Sequence, residues 1–129
     1  MPESVSVILP EPISSNRYWR THGHTTYRTR DAKAYCEAVA MLTAHFRRDG
    51  APCFPTGDVS CVVVWHRSAK RGDLDNRTKV LYDALAGSLY ADDKQIAQDW
   101  RRRVDQHATI PKGHVLVEVC PIATEDPQP

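Results

Sequence analysis

Apolar residues alternate along four stretches of the chain and recur at helical spacing along two. In residues 4–9, Val5, Val7 and Leu9 share a face, which predicts a strand ended by Pro10 and Pro12. In residues 58–67, Val59, Cys61, Val63 and Trp65 alternate with Ser60, Val62, Val64 and His66. Both faces of that run are largely apolar, as expected of a central strand. Residues 95–104 predict a third strand, with Ile96, Trp100 and Val104 apolar and an exposed basic face. Val115, Val117 and Val119 mark a fourth over residues 114–120. Between them, residues 31–48 read as a helix capped by Asp31, with Tyr35, Ala38, Val39, Leu42 and Phe46 as its buried stripe. A second helix begins at Asp75 as N-cap and ends near Gly87. It turns Leu81, Leu85 and Leu89 inward and carries Asn76, Lys79 and Asp83 on another face. Residues 14–30 have neither period and read as a loop mixing aromatics with arginines; a loop that long is usually functional or mobile.

Composition narrows the class. At 129 residues the chain is one domain's length, enough to form a core without disulfides or structural metal. No apolar run is long enough to span a membrane, and the N-terminus lacks a signal peptide's charged start and apolar stretch, so a cytoplasmic protein is expected. Cys36, Cys53, Cys61 and Cys120 are scattered, which predicts reduced, mostly buried thiols. His22 and His24 flank Gly23 without the further soft ligands that zinc would need. His66, next to the acidic cluster in sequence, is expected to be packed or to support a neighbouring site residue and not to be catalytic. Residues 123–129 are polar, acidic and proline-rich and are expected to be disordered, which leaves 1–122 as the domain. The net charge of +1 does not announce nucleic acid, but the distribution is uneven. Arg17, Arg20, Arg28, Arg30 and Lys33 share their stretch with one acid, Asp31; Arg67, Lys70, Arg71, Arg77 and Lys79 crowd the next stretch, and Arg101 to Arg103 follow later. Tyr18 and Trp19, beside Arg17 and Arg20, suit DNA bases and phosphates and equally suit the edge of a core.

The chemistry gathers in residues 73–95. Asp73/Asp75 and Asp92/Asp93 bracket the second helix, with Lys79 inside it. Carboxylates brought to one spot repel one another unless a cation neutralises them. Hard oxygen donors favour Mg²⁺ or Mn²⁺. A lysine one turn along can stabilise charge on a phosphate, so the set reads as a metal-dependent phosphodiester-cleaving site. A solvated helix start and a surface turn, with Lys79 paired to Asp75 or Asp83, would explain a lone Asp-x-Asp; two acidic clusters around one helix argue against it.

The ordered run Asp73-Leu74-Asp75-Asn76 with Lys79, then Asp83-Ala84-Leu85, then Asp92-Asp93 with Gln95, resembles the signature of the RusA family of Holliday junction resolvases. The first half agrees, with a short strand leading into Asn16-Arg17-Tyr18-Trp19-Arg20 and then a helix containing Ala32-Lys33-Ala34-Tyr35. The resemblance covers the chain except for its acidic tail. It implies an α/β (α+β) fold, a small single domain with a mixed four-stranded sheet and two main helices, acting as a homodimer. It implies a Mg²⁺-dependent endonuclease, with Mn²⁺ able to substitute, that cuts four-way junction DNA by paired symmetrical nicks in recombination and repair. The catalytic carboxylates then fall on Asp73, Asp75 and Asp93 and the catalytic lysine on Lys79. Asp92 is a further candidate ligand, with Asp93 favoured over it. Asn16, Tyr18, Arg20, Arg71 and Asn76 are the candidate DNA contacts. No membrane and no small-molecule cofactor are implied, and the setting is a bacterial cytoplasm, with a chromosomal or prophage gene. Two other readings stay open at this point: a metal nuclease of the same fold acting on other branched DNA or on RNA, and a non-catalytic DNA-binding module.

Overall fold

Val59, Cys61, Val63 and Trp65 need apolar cover on one side, and Val64 and His66 need it on the other; the chain provides both by placing their strand inside a sheet. The computed structural model describes residues 4–70 and 72–123. Its elements are β1 (Val5–Pro10), α1 (Ser15–Tyr18), β2 (Trp19–His22), β3 (Thr25–Arg28), α2 (Arg30–Thr43), β4 (Val59–His66), α3 (Leu74–Leu85), β5 (Ile96–Val104) and β6 (His114–Pro121). The main sheet runs β1-β6-β4-β5, so β4 is internal, as its two apolar faces predict, and β5 is an edge. β6 is antiparallel to both β1 and β4, whereas β5 is parallel to β4 and is reached through α3. The sheet is therefore mixed, and the domain is α+β.

One core joins Val5 and Leu9 of β1, Val115, Val117 and Val119 of β6 and the inner face of β4 to Ala32, Tyr35 and Val39 of α2 and to Val80, Leu81, Ala84 and Leu85 of α3. Leu81, Leu85 and Leu89 are all fully buried, as their spacing predicts, although Leu89 lies past the end of α3. His66 is buried, with its Nδ1 2.6 Å from the Ile110 carbonyl oxygen, the packed role expected of it. Cys53 and Cys61 are buried and Cys36 and Cys120 half-buried, all as free thiols. Among the described residues no helix is long and apolar enough to cross a membrane.

The structure corrects four local expectations. Thr29, not Asp31, caps α2: its hydroxyl accepts the Ala32 N–H at 3.1 Å, while Asp31 turns outward to Arg17 at 2.8 Å. The buried stripe of α2 is Ala32, Tyr35, Val39 and Thr43, and Leu42 is 45 % exposed. Thr43 can take the inward place because its hydroxyl donates to the Val39 carbonyl at 2.7 Å and meets Ser88 Oγ at 2.8 Å. The stretch 14–30 is ordered as α1 and a hairpin, with His22 opposite Thr25 and Gly23 at φ +62° in the turn. In β5 a bulge at Ala97 lets Ile96 pack on the core while Trp100 stands 55 % exposed, so the two do not share a face. Residues 124–129 of the expected disordered tail lie outside the described residues.

Candidate active site

Asp73 reaches its place through a constrained approach. Gly72 has φ +106°, and a Cβ there would sit 3.0 Å from the Trp65 ring and 3.4 Å from the Arg77 guanidinium, so both backbone and space call for glycine. The preceding loop is held by Glu11, which accepts from Trp65 Nε1 at 2.9 Å and from the Ser68 N–H at 3.1 Å, as well as from the Ser68 hydroxyl. Burial works to raise the Glu11 pKa, but these hydrogen bonds from Ser68 and Trp65, with the Arg77 charge, outweigh it and hold the carboxyl below its ordinary value. Asp73 then takes the N-cap position of α3, its carboxylate accepting the N–H of Asp75 at 2.8 Å and of Asn76 at 3.2 Å. The cap is thus Asp73 and not Asp75. Extended backbone at Asp73 (φ −89°, ψ 125°) points its side chain back over the first turn, whereas Asp75 is already helical.

Freed from capping, Asp75 faces a cleft between α3 and the edge strand β5. This cleft has a volume of about 270 Å³ and is lined by Asp75, Lys79, Tyr82, Asp93, Asp99 and Arg101, together with Ile96, Ala97 and Gln98. Asp75 pairs with Arg101 Nη1 at 3.0 Å and, one turn along the helix, with Lys79 Nζ at 3.6 Å. Asp99 accepts from Tyr82 Oη at 3.1 Å and lies 3.4 Å from Arg101 Nε. Burial, then the Cys61 thiol and Asp99, raise the Tyr82 pKa, so its hydroxyl stays a donor. Asp99 and Arg101 were not among the sequence candidates. Their signal was the two-residue spacing that places both on one face of β5; the reading of that strand as simply basic on its exposed side hid it.

The second acidic pair divides its labour. Asp92 caps the 3₁₀ turn of residues 93–95, accepting the Lys94 N–H at 2.8 Å, and the Gln95 side chain answers by accepting the Asp92 N–H at 3.1 Å. Asp93 lines the cleft. The Lys94 N–H, and then a hydrogen bond with Asp93, lower the Asp92 pKa; burial, the bond to Asp92 and the Asp92 and Asp83 charges raise that of Asp93.

The other candidates have separate places. Asn76 spends its amide on α1, accepting the Ser15 N–H at 2.8 Å and donating to the Ser15 hydroxyl. Tyr18 is fully buried, with its hydroxyl donating to Asp83 and 3.0 Å from Cys36 Sγ, so it belongs to the core and does not face DNA. Asp83 also takes Arg28 at 2.7 Å and so ties the hairpin to α3 one turn beyond Lys79. Asn16 is exposed and gives its carbonyl to Arg20, which stands exposed with Trp19 and Tyr27 on that hairpin. Arg71 lies outside the described residues.

Among the described residues no group of three or more Asp, Glu, His or Cys side chains stands in a metal-holding arrangement. Asp75, Asp93 and Asp99 are spread along the cleft, and Asp73 is engaged at the helix start. Three carboxylates nevertheless line the cleft, hard oxygen donors of the kind a divalent cation takes, and the present partners of Asp75 are two cations, so the position calls for positive charge.

Comparison with known proteins places this arrangement. Residues 10–111 match the family described as endodeoxyribonuclease RusA, a span that includes both acidic clusters, the hairpin and the cleft. The crossover junction endodeoxyribonuclease RusA of Escherichia coli strain K12 is 33 % identical over 98 residues, covering 74 % of this chain and 78 % of that protein. The protein of that name from Shigella sonnei strain Ss046 is 32 % identical with the same coverage. That of Enterobacteria phage HK97 is 27 % identical over 113 residues, covering 87 % of this chain and 90 % of its own.

Proposed function

The chain belongs to the RusA family of endodeoxyribonucleases, the Holliday junction resolvases, and from that premise we propose that it resolves four-way DNA junctions by paired symmetrical nicks, dependent on Mg²⁺, in recombination and repair. The supporting observation is the cleft in which Asp75, Asp93 and Lys79 meet between α3 and β5. Asp75 and Asp93 would hold the divalent cation, joined by Asp73 through the carboxylate oxygen that its cap leaves free, with Asp93 preferred to Asp92 because Asp93 lines the cleft. Mg²⁺ or Mn²⁺, if bound there, would supply an activated water and polarisation of the scissile phosphate. Asp75 and Asp93 contribute negative oxygens on the two walls. Lys79, 71 % exposed and on the same wall as Asp75, places its ammonium where charge builds on the phosphate or on the leaving oxygen. Asp73 orders the first turn of α3 and so sets the direction of Asp75. The products are a 5′-phosphate and a 3′-hydroxyl.

Arg20 and the exposed Trp19 and Tyr27 on the hairpin give a cationic, aromatic surface for the arms of the junction, fixed to the catalytic helix by the Arg28–Asp83 pair. Two equivalent strands must be cut, and the described residues of one chain form one such cleft, so the working unit is a homodimer whose two-fold axis matches that of the junction. Relatives in bacteria and in a bacteriophage fit a cytoplasmic enzyme of chromosomal or prophage origin.

The test is a labelled synthetic four-way junction, with duplex and single-strand controls, incubated with Mg²⁺ or with EDTA. Symmetrical, metal-dependent nicks in the junction alone are expected. Cleavage of all substrates alike would contradict the junction assignment, and binding without cleavage would contradict the enzymatic one.

A further inference from the structure

Arg101 sits where a metal ion's charge is wanted. Its guanidinium bridges two carboxylates, with Nη1 3.0 Å from Asp75 and Nε 3.4 Å from Asp99, and its side chain is only 30 % exposed. It projects from β5, whose backbone is hydrogen-bonded to β4 at this level (Val63 opposite Arg101), so the fork stems from a fixed strand. Lys79, the other partner of Asp75, is looser, at 3.6 Å and 71 % exposed. Asp99 is held independently by Tyr82 Oη at 3.1 Å. A cation on Asp75 and a guanidinium on the same oxygens compete for one set of lone pairs. Asp99, already in contact with the guanidinium, can keep it when Asp75 is taken, without moving the strand.

We infer that Arg101 is the resident counter-ion of the cleft: it bridges Asp75 and Asp99 in the metal-free protein, and binding of a divalent cation at Asp75 leaves it on Asp99 alone. The inference rests on the metal reading above. Arg101 is a positioning residue in it. It keeps the carboxylates from repelling one another when no metal is bound, and it sets the threshold for metal entry. Competition is reciprocal, so whatever affinity Arg101 has for Asp75 is subtracted from that of the cation.

The test is direct binding of Mn²⁺ to the metal-free full-length protein, followed by calorimetry and by the paramagnetic resonance of free Mn²⁺, with no DNA present. Arg101→Gln should bind Mn²⁺ roughly fivefold or more tightly than the wild type. Arg101→Lys, which keeps the charge and loses the fork, should fall between them. Asp99→Asn should bind more weakly, because the displaced guanidinium has nowhere to go. In the Arg101→Gln background, Asp99→Asn should then have no effect; a loss that persists there would make Asp99 a ligand of the metal and overturn the exchange. Unchanged or weaker binding in Arg101→Gln, with the wild type binding normally, would also overturn it while leaving the metal reading intact. No Mn²⁺ binding by the wild type would defeat the metal reading itself. Circular dichroism of each variant checks that the fold is retained.

Discussion

Glu11 shows how a residue outside the cleft can order the approach to the helix that carries Asp75. Its carboxylate accepts from Trp65 and from two groups of Ser68, and so fixes the loop that delivers Gly72 and Asp73. Its pKa is lowered, so the folded state favours the charged form. The stabilisation is fully present above the ordinary glutamate range and is lost as pH falls through the lowered folded value. Glu11→Gln should cost about 1–3 kcal/mol at neutral pH, measured by denaturant unfolding. It should also flatten the acid side of the stability profile; an acid limb as steep as in the wild type would show that the carboxylate is not the titrating link. At this scale some assignments were legible and others were not. Asp73 and Asp75 could each cap a helix by type and spacing, and only the backbone angle at Asp73 decides between them. Tyr18 could equally have faced DNA or the core; its hydroxyl found Asp83, 65 residues away, a partner no local pattern reveals. His66, on a strand apolar on both faces, could be read as packed from its neighbours alone.

Among the elements, α3 organises the domain: one face enters the core through Val80, Leu81, Ala84 and Leu85, one end carries the capped acids, and Asp83 anchors the hairpin. Asp83→Asn removes the charged partner of Arg28 and weakens the acceptor of the Tyr18 hydroxyl. It should lower stability by about 1–3 kcal/mol. Junction affinity should fall with it, because the hairpin bearing Trp19 and Arg20 loses its tie to α3, which carries Asp75 and Lys79. Thermal unfolding together with a junction-binding titration checks both; full stability with full affinity would free the hairpin from this role. Strands and helices were legible here because their apolar periods are long and regular. The hairpin was missed because its strands are four residues each and exposed along their length, with no buried apolar face to produce a period. Its signal was the Gly23-His24 turn between stretches rich in threonine. The bulge at Ala97 was hidden for a related reason: one inserted residue changes the facing of a strand without changing its composition. With it went the placement of Asp99 and Arg101.

For the whole molecule, symmetrical cleavage of a junction calls for two clefts acting together. Dimers assembled from wild-type and Asp75→Asn chains should nick one of the two equivalent strands, whereas wild-type dimers nick both. Product mapping on a junction labelled on each strand in turn distinguishes these. Paired nicks from mixed dimers would mean that one cleft serves both strands, and a monomeric protein in sedimentation analysis would remove the symmetry argument. Association with DNA should weaken steeply with salt, as phosphate contacts release counterions.

The central claim is that Asp75, and not the fold around it, carries the cleavage. Asp75 is 57 % exposed and does not serve as the cap of α3, so Asp75→Asn leaves core and helix start in place. The decisive measurement is the single-turnover rate at which saturating Asp75→Asn protein nicks a four-way junction in Mg²⁺, beside its affinity for the same junction. The expected result is a rate reduced on the order of a hundredfold or more, with binding within a few-fold of wild type. A near wild-type rate would remove Asp75 from the catalytic set and the cleft from the centre of the mechanism.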